Sequence, residues 1–367
     1  MGLPVAGTFE LTPRCNFNCK MCYVHLDDNE ASRRGRELTA DEWLSIAEAA
    51  CKKGLVFLLL TGGEPLVRRD FKYLYTELQK MGLLVSINTN ASLISGEYLE
   101  FFKKNPPSRL NISLYGASDE TYEALCGNRQ FGSVVNNIKA LKEAGIAVKL
   151  NITFGPHNIG DMDGIQRISK ELGVPMKPTT YLYPPVRVDA EGVGYNKERF
   201  DPAEAAHYEF ESDKKRFEHE MFVKRTVAVC NGIRTVSDEE CDGIPSEGIS
   251  CRAGRSSFWV TWDGKMLPCG MMTYPAAYPL KDGFDAAWES TLKSAAKIFL
   301  PPECKSCSHR HVCHICAASA YAETGSFDKK PEYICEMVHT LAGLYKEEYS
   351  RLEARGEIEK ISDGADK

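Results

Sequence analysis

The sequence lacks the features that place a protein in or across a membrane. Residues 1–11 show no basic segment followed by a long apolar run, and no later stretch approaches the roughly 20 apolar residues that a spanning helix needs. An excess of positive charge is also missing, because the net charge is −6 and no basic cluster is available for nucleic-acid phosphates. We therefore expect a cytoplasmic protein with neither a membrane nor a nucleic-acid partner.

Cysteine, in contrast, is abundant and unevenly distributed, with 14 residues in a chain of 367. Three lie between residues 15 and 22, only Cys51 and Cys126 follow before residue 230, and nine fall within 230–335. Because a cytoplasmic chain keeps its thiols reduced, a disulfide framework is not expected. The cysteines therefore indicate two metal-binding regions, and we interpret Cys51 and Cys126 as ordinary buried thiols in helices.

The first half of the chain predicts an α/β fold. Residues 6–181 alternate short β-branched or apolar runs with helical patterns, which is typical of βα units and a parallel sheet. Thr39 and Glu42 predict a capping box, and Gly54 predicts the end of the same helix. The expected architecture is a partial (β/α)6 TIM-like barrel. Its predicted strands are 7–11, 56–61, 83–89, 108–114, 146–153 and 175–181, and its predicted helices are 39–53, 70–81, 96–104, 131–144 and 158–172.

The remaining chain divides into three further parts. Residues 182–250 are rich in proline, glycine and charge, and predict a bridging segment. Residues 251–340 predict a cysteine-rich C-terminal domain with a hairpin around Asp263-Gly264. Residues 341–367 predict a charged helix and a frayed tail. With the barrel at 1–181, the chain has four expected segments.

The segment TPRCNFNCKMCYVH carries the most specific motif. Cys15, Cys19 and Cys22 form a C-x3-C-x2-C pattern on the loop after the first strand. Three thiolates on one short loop can hold three irons of a [4Fe–4S] cluster and leave the fourth iron open. That iron can chelate S-adenosylmethionine, so that one electron breaks a C–S bond and releases a 5′-deoxyadenosyl radical. A zinc site completed by His25 is the alternative.

This loop resembles the signature of the radical S-adenosylmethionine superfamily, and the resemblance implies that Met21 lies against the adenine of the cofactor. A second motif, TGGEP, follows the next strand, where two glycines let the backbone approach a ligand and a glutamate offers an acceptor. The resemblance assigns this motif to the amino group of the cofactor. Asn90 and Ser113, near later strand ends, resemble positions that contact its methionyl or ribose parts. The implied cofactor-binding residues are thus Met21, Gly62, Gly63, Glu64, Pro65, Asn90 and Ser113.

The C-terminal cysteines resemble the SPASM extension of the same superfamily, in which two auxiliary [4Fe–4S] clusters are bound. The expected total is therefore three clusters, although two residues rather than the usual three separate Cys313 from Cys316. The resemblance implies an outer auxiliary site, defined here as the outer group, at Cys304, Cys307, Cys313 and Cys335.

An inner auxiliary site, the inner group, is implied at Cys251, Cys269 and Cys316. Its fourth ligand stays open between Cys230, Cys241 and a position left free for substrate. Zinc is the alternative for this region, because three histidines lie among the cysteines. They are His309, His311 and His314.

SPASM-bearing enzymes mostly act on peptides or proteins, so the resemblance implies such a substrate and an electron donor such as flavodoxin or ferredoxin. The segment from Cys251 to Trp259 is similar to maturases of ribosomal peptides, which form thioether or carbon–carbon crosslinks, and this is the predicted activity. Because the cysteine loop begins at residue 15, no fused leader-binding module is expected. The sequence assigns no catalytic acid or base.

Three other functions remain as alternatives. Sulfatase-maturing enzymes, which form formylglycine, carry an aspartate directly after the second auxiliary cysteine, whereas this chain has Gly270 there. A radical enzyme acting on a small molecule is the second. A non-enzymatic iron–sulfur carrier is the third, and the three-cysteine loop followed by TGGEP argues against it.

Overall fold

The computed structural model describes residues 2–189, 191–234, 248–249, 251–304, 306–313 and 315–358. One eight-stranded sheet organises these residues in the order β6-β5-β4-β3-β2-β1-β7-β8. The first six strands are parallel neighbours in chain order, β7 adds in parallel beside β1, and β8 pairs with β7 in antiparallel fashion. The strands are β1 Ala6–Glu10, β2 Phe57–Thr61, β3 Leu84–Thr89, β4 Arg109–Ser113, β5 Val148–Thr153, β6 Met176–Thr179, β7 Ser257–Val260 and β8 Met266–Leu267.

Helices connect the parallel strands, and further helices complete the C-terminal half. The helices are α1 Asp28–Arg34, α2 Ala40–Lys52, α3 Phe71–Lys80, α4 Gly96–Lys104, α5 Asp119–Cys126, α6 Phe131–Glu143, α7 Met162–Leu172, α8 Pro202–Arg216, α9 His219–Arg234, α10 Pro279–Asp282, α11 Phe284–Ala295, α12 Ala317–Thr324 and α13 Glu332–Ala354. In the part of the chain that the structure describes, no helix combines the length and the apolarity needed to cross a membrane.

The strand pattern explains why one face of the sheet is packed and the other is available for ligands. Along β5, buried residues alternate with half-buried ones, because successive side chains point to opposite faces. Leu150 and Ile152 face the helices within the main core, while Asn151 and Thr153 line a cavity on the concave face. The concave face is therefore polar, and the apolar contacts that stabilise the fold lie behind it.

The α/β prediction is confirmed: seven strands of the sheet, β1 to β7, are parallel, and the sheet forms an open rather than a closed barrel. The capping box is also present, with the Glu42 amide donating to Thr39 Oγ1 at 3.3 Å and the Thr39 amide donating to the Glu42 carboxylate at 2.9 Å. The predicted hairpin corresponds to β7 and β8. The predicted helix ranges omit α1, α5, α10, α11 and α12, although Cys126, the last residue of α5, is expected to lie in a helix. Nothing in the sequence indicated that β7 joins the first sheet.

Residues 182–250, interpreted as a bridging segment, contain two long helices. Both α8 and α9 pack against α13. Phe210, Phe222 and Tyr345 form the aromatic centre of this packing, with ring centroids 5.1 Å apart between Phe210 and Tyr345. The proposed boundary between residues 340 and 341 lies inside α13, so this helix connects the cysteine-rich region to the two helices of the bridging segment.

Candidate functional site

The cysteine loop after β1 opens into a cavity of about 880 Å³ at the carboxyl ends of the strands. Cys15, Cys19 and Cys22 are all half-buried and line it. The Phe17 amide donates to Cys15 Sγ at 3.3 Å and the His25 amide to Cys22 Sγ at 3.2 Å. Such donors stabilise thiolates that ligate iron. Burial raises the pKa of Cys15 to about 12, so metal binding here must displace a proton.

The C-terminal end of α5 anchors this loop. The Asn18 amide donates to the Cys126 carbonyl at 3.0 Å, and the Lys20 amide donates to the Leu125 carbonyl at 2.9 Å. The Cys126 thiol is fully buried and hydrogen-bonds with Cys19, a contact that contributes most to raising the pKa of Cys19. Cys126 does not line the cavity. It therefore supports the loop from behind, a role that the sequence did not reveal.

The two glycines after β2 hold the second motif against the cysteine loop. The Gly63 amide donates to the Thr12 carbonyl at 2.8 Å, and the Glu64 amide donates to the Arg14 carbonyl at 2.9 Å. A Cβ atom on Gly63 would lie 2.4 Å from the Arg14 oxygen, and one on Gly62 would lie 2.5 Å from the Thr12 oxygen. Only glycine permits this approach, and both glycines line the cavity.

Glu64 lies behind the cavity wall, completely buried. Its carboxylate accepts hydrogen bonds from Thr89 Oγ1 at 2.9 Å, from the Asn90 amide at 2.7 Å and from the Leu66 amide at 3.1 Å. Burial outweighs these donors and raises the pKa of Glu64 to about 7. Pro65 is buried beside it and begins the short 3-10 helix Pro65–Val67. In this structure the carboxylate positions Asn90, and its predicted contact with an ammonium group stays a prediction.

The remaining residues assigned to cofactor binding lie on the cavity surface. Asn90 Nδ2 donates to Asn16 Oδ1 at 2.9 Å and lies 3.8 Å from Cys15 Sγ. Met21 lies within the cysteine loop, directly before Cys22, and Ser113 ends β4. Eight of the predicted residues thus surround one cavity: Cys15, Cys19, Met21, Cys22, Gly62, Gly63, Asn90 and Ser113.

Within the outer group and within the inner group, the thiols influence one another's pKa. Burial raises the pKa of Cys304 to about 11, and the nearby charges of Cys335, Cys313 and Cys307 raise it further. In the inner group, burial raises the pKa of Cys269 to about 11, with Cys316 and Cys251 adding to the effect. Thiolates are ligands that suit iron–sulfur clusters, and the assignment of these two sets to such clusters stays a prediction.

Cys230 is one of the candidates for the fourth ligand of the inner group. Its thiol donates to the Tyr345 carbonyl at 3.6 Å within the packing of α9 against α13. The other candidate, Cys241, lies outside the described residues.

The outer group could also hold a metal in another arrangement, because the ligand atoms of Cys307, His309 and His339 all lie within 4.8 Å of one another. A mononuclear metal site there remains the alternative to a cluster.

A buried polar network lies between the cysteine loop and the inner group. Arg187 donates to both carboxylate oxygens of Glu10, at 2.7 and 2.8 Å, and to the Gly270 carbonyl at 3.1 Å. Trp259 Nε1 donates to the same carboxylate at 3.0 Å. Tyr23 lies beside this network, where burial raises its pKa.

Gly270 occupies the position of the aspartate in sulfatase-maturing enzymes. A Cβ on Gly270 would lie 2.5 Å from the Trp259 ring, so no side chain fits at this position.

Comparison with known proteins identifies the domain that contains the cysteine loop. Residues 9–167 match the family model of the Radical SAM superfamily. Residues 9–167, less than half of the chain, are therefore similar to a Radical SAM domain. This match supports the conclusion that the protein is a radical SAM enzyme and that its cofactors are S-adenosylmethionine and an iron–sulfur cluster.

Two curated relatives are similar in sequence to this chain. The AdoMet-dependent heme synthase of Methanosarcina barkeri is 27% identical over 345 residues, which cover 89% of this chain and 94% of the relative. The probable GTP 3′,8-cyclase of Sulfurisphaera tokodaii is 31% identical over 193 residues, covering 52% of this chain and 58% of the relative.

Solved structures show where this fold recurs. Native anSMEcpe with bound AdoMet superposes with a TM-score of 0.68 at 16% identity, covering 96% of this chain and 100% of anSMEcpe. Streptococcus suis SuiB bound to its precursor peptide SuiA gives a TM-score of 0.65 at 19% identity, covering 91% of this chain and 76% of SuiB. At these identities the likeness shows that the chain shares their fold.

Proposed function

We propose that this radical SAM enzyme modifies a peptide or protein substrate held in the 880 Å³ cavity. The observation that carries the proposal is that one cavity connects the cysteine loop with residues beside the inner group, Met271 and Ser319. A substrate between them would be within reach of two redox sites. The peptide assignment is further supported by the shared fold, because SuiB and anSMEcpe were both solved with peptides.

Different residues of this chain would bind the cluster, bind the cofactor and exclude water. Cys15, Cys19 and Cys22 would hold the first cluster, and the backbone of Gly62 and Gly63 would bind the amino group of S-adenosylmethionine. When bound, the cofactor supplies a 5′-deoxyadenosyl radical that removes a hydrogen atom. Apolar residues of α13 line the same cavity and would exclude water from the reacting centre: Ile334, Met337, Val338 and Leu341.

The proposed product is a thioether or carbon–carbon crosslink that is lighter than the substrate by two hydrogens. Closing such a bond releases a proton to solvent and a second electron from the substrate, and an oxidised cluster at the inner group would accept that electron. An external donor of the flavodoxin or ferredoxin type would supply the electron that starts each turnover. Three clusters, at the loop and at the two C-terminal groups, complete the proposal.

The test begins with anaerobically reconstituted protein, which should bind about twelve irons and twelve sulfides. The Cys15→Ala, Cys19→Ala, Cys22→Ala variant should lose about four of each and should no longer produce 5′-deoxyadenosine under dithionite. Cys51→Ala, a half-buried cysteine of α2, is the matched control and should keep both. Stoichiometric zinc without labile sulfide in the wild type would reject the cluster proposal.

A tetrapyrrole is the second candidate substrate, favoured by the likeness to the heme synthase over 94% of that relative's length. Mass spectrometry of parallel incubations with a neighbouring precursor peptide and with a carboxylated porphyrin would separate the two candidates. A sulfatase-motif peptide is the third arm. Formylglycine is not expected there, because the Gly270 position admits no side chain and Asp263, its conceivable substitute, lies outside the main cavity.

A further inference from the structure

Three cationic residues form a diagonal across three neighbouring parallel strands at one edge of the sheet. Arg109 lies on β4, Lys149 on β5 and Lys177 on β6. The strand register pairs Asn111 with Lys149 and Asn151 with Lys177, so each cation lies two residues further along the sheet than the one before it. With strands about 4.8 Å apart and a rise of about 3.3 Å per residue, neighbouring members of the diagonal are about 8 Å apart along the backbone surface.

The diagonal shares the concave face with the substrate cavity. Side chains two residues apart on a strand point to the same face. By this alternation, each cation points to the same face as a residue further along its own strand that lines the cavity. These pairs are Arg109 and Ser113, Lys149 and Thr153, and Lys177 and Thr179. Lys177 lines it directly. The three cations therefore lie on the face of the sheet that lines the cavity, nearer the amino ends of the strands than the other cavity-lining residues of those strands.

None of the three cations has a carboxylate partner. Among the described residues, no Asp or Glu oxygen lies within 4.0 Å of their charged nitrogens. Burial, followed by the positive charges of Lys177 and Arg109, lowers the pKa of Lys149. Glu209 also lines the cavity, but its carboxylate accepts hydrogen bonds from the amide and hydroxyl of Thr180, both at 3.0 Å. Within the described ranges, the three cations of the diagonal therefore form no ion pair with a carboxylate.

We propose that Arg109, Lys149 and Lys177 bind the carboxylates of a substrate that carries two or more of them. This inference rests on the proposed function and specifies its substrate class. Guanidinium and ammonium groups form strong, charge-assisted hydrogen bonds with carboxylates, and Asn111 and Asn151 offer amide donors between them. The spacing of about 8 Å suits an extended acidic peptide, whose alternate side chains are about 7 Å apart, and also a tetrapyrrole with several carboxylate arms.

The experiment measures the Kd of two probes for the reconstituted full chain: a fluorescently labelled hexaglutamate peptide and coproporphyrin, a tetracarboxylate porphyrin. Labelled hexaglutamine serves as the neutral reference probe. The Arg109→Gln, Lys149→Gln, Lys177→Gln variant should bind the preferred probe about tenfold or more weakly, a loss of roughly 1.4 kcal/mol or more. A matched variant with the same change in charge, Lys52→Gln, Lys139→Gln, Lys170→Gln, alters exposed helical lysines and should bind as the wild type does.

Binding of hexaglutamate alone supports the proposal with a peptide source, and binding of coproporphyrin alone supports it with a tetrapyrrole source. Equal binding of hexaglutamine, equal loss in the matched variant, or no binding of either probe overturns it. If circular dichroism shows that the triple variant does not fold, two other measurements test the same proposal: probe binding by Lys149→Gln alone and the salt dependence of probe binding by the wild type. Binding of carboxylates by these cations must weaken as ionic strength rises. Production of 5′-deoxyadenosine by the wild type tests the proposed function separately.

Discussion

Glu10 and Arg187 form a buried ion pair with two contacts, at 2.7 and 2.8 Å, although 177 residues separate them in the chain. The Glu10 side chain is fully buried and that of Arg187 is 10% exposed. Since Trp259 and Gly270 join the same network, the pair connects the end of β1, the bridging segment and the region of the inner group. It therefore links the end of β1, which precedes the cysteine loop, to the residue that follows Cys269.

The first prediction follows from the burial of this pair. Arg187→Met would leave the Glu10 carboxylate buried without its partner, which typically costs about 3–5 kcal/mol. Denaturant unfolding should show a loss of this size. Arg129→Met is the matched control, because Arg129 pairs with Glu120 and Glu123 on the surface, where such pairs contribute about 1 kcal/mol or less. Equal losses in the two variants would mean that the buried pair has no special structural role.

The second prediction concerns the position of the sulfatase-type base. Gly270→Asp should destabilise the protein and should not create formylglycine activity, because the new Cβ would meet the Trp259 ring at 2.5 Å. Thermal unfolding and mass spectrometry of a sulfatase-motif peptide provide the two readouts. Aldehyde formation by a stable Gly270→Asp protein would show that the pocket has room for the base.

The third prediction tests the close approach of the two motifs. Gly63→Ala should displace the cysteine loop and lower the iron content of reconstituted protein, because its Cβ would lie 2.4 Å from the Arg14 carbonyl oxygen. Gly132→Ala is the control: this glycine is the second residue of α6 and has open space at its Cβ position, so the change should be neutral or stabilising by about 0.5–1 kcal/mol. Full iron content in Gly63→Ala would contradict the packing argument.

The fourth prediction concerns pH. The pKa of Glu64 rises from its ordinary 4.5 to about 7 in the folded protein. Between these pH values the folded state binds more protons than the unfolded state, so the free energy of unfolding should fall as pH rises, by up to about 3 kcal/mol. Unfolding measured across pH 4.5–7 should show this slope, and Glu64→Gln should flatten it. Glu143→Gln, on the exposed end of α6, should keep the slope; an unchanged slope in Glu64→Gln would reject the assignment.

Local sequence patterns predicted the elements that build the first part of the site. The alternation of β3 and β5, the capping box at Thr39 and the glycines at 62 and 63 are local signals, because each depends on residues within a few positions. The six parallel strands followed from them. The family resemblance then placed Cys15, Cys19 and Cys22 beside the glycines, and the structure brings these residues to one cavity.

Contacts between distant segments could not be predicted in the same way. Nothing near Glu10 indicates that its partner is Arg187, and nothing near Cys19 indicates that Cys126 lies behind it. The diagonal of Arg109, Lys149 and Lys177 depends on the register between strands, which the sequence of any one strand does not specify. These features required the assembled sheet.

The last prediction concerns the phenol of Tyr183, which lies 3.9 Å from Cys316 Sγ and also lines the main cavity. With Cys316 as a thiolate ligand, the phenol would donate to the sulfur, alongside the Ser319 amide at 3.4 Å. Hydrogen bonds to ligating sulfurs stabilise the reduced cluster, which carries the greater negative charge, and so raise its reduction potential. Tyr183→Phe should therefore shift the midpoint potential of one auxiliary cluster to a more negative value without changing the iron content.

A redox titration followed by electron paramagnetic resonance measures this shift. Tyr181→Phe is the matched control, because the Tyr181 hydroxyl donates to Glu323 at 2.8 Å and its ring packs 4.8 Å from that of Tyr183. The control should keep the wild-type potentials, since it removes a phenol from the same cavity wall but no hydrogen bond to sulfur. An identical shift in both variants would assign the effect to the polarity of the cavity, and unchanged potentials in Tyr183→Phe would show that the hydroxyl does not donate to the inner group.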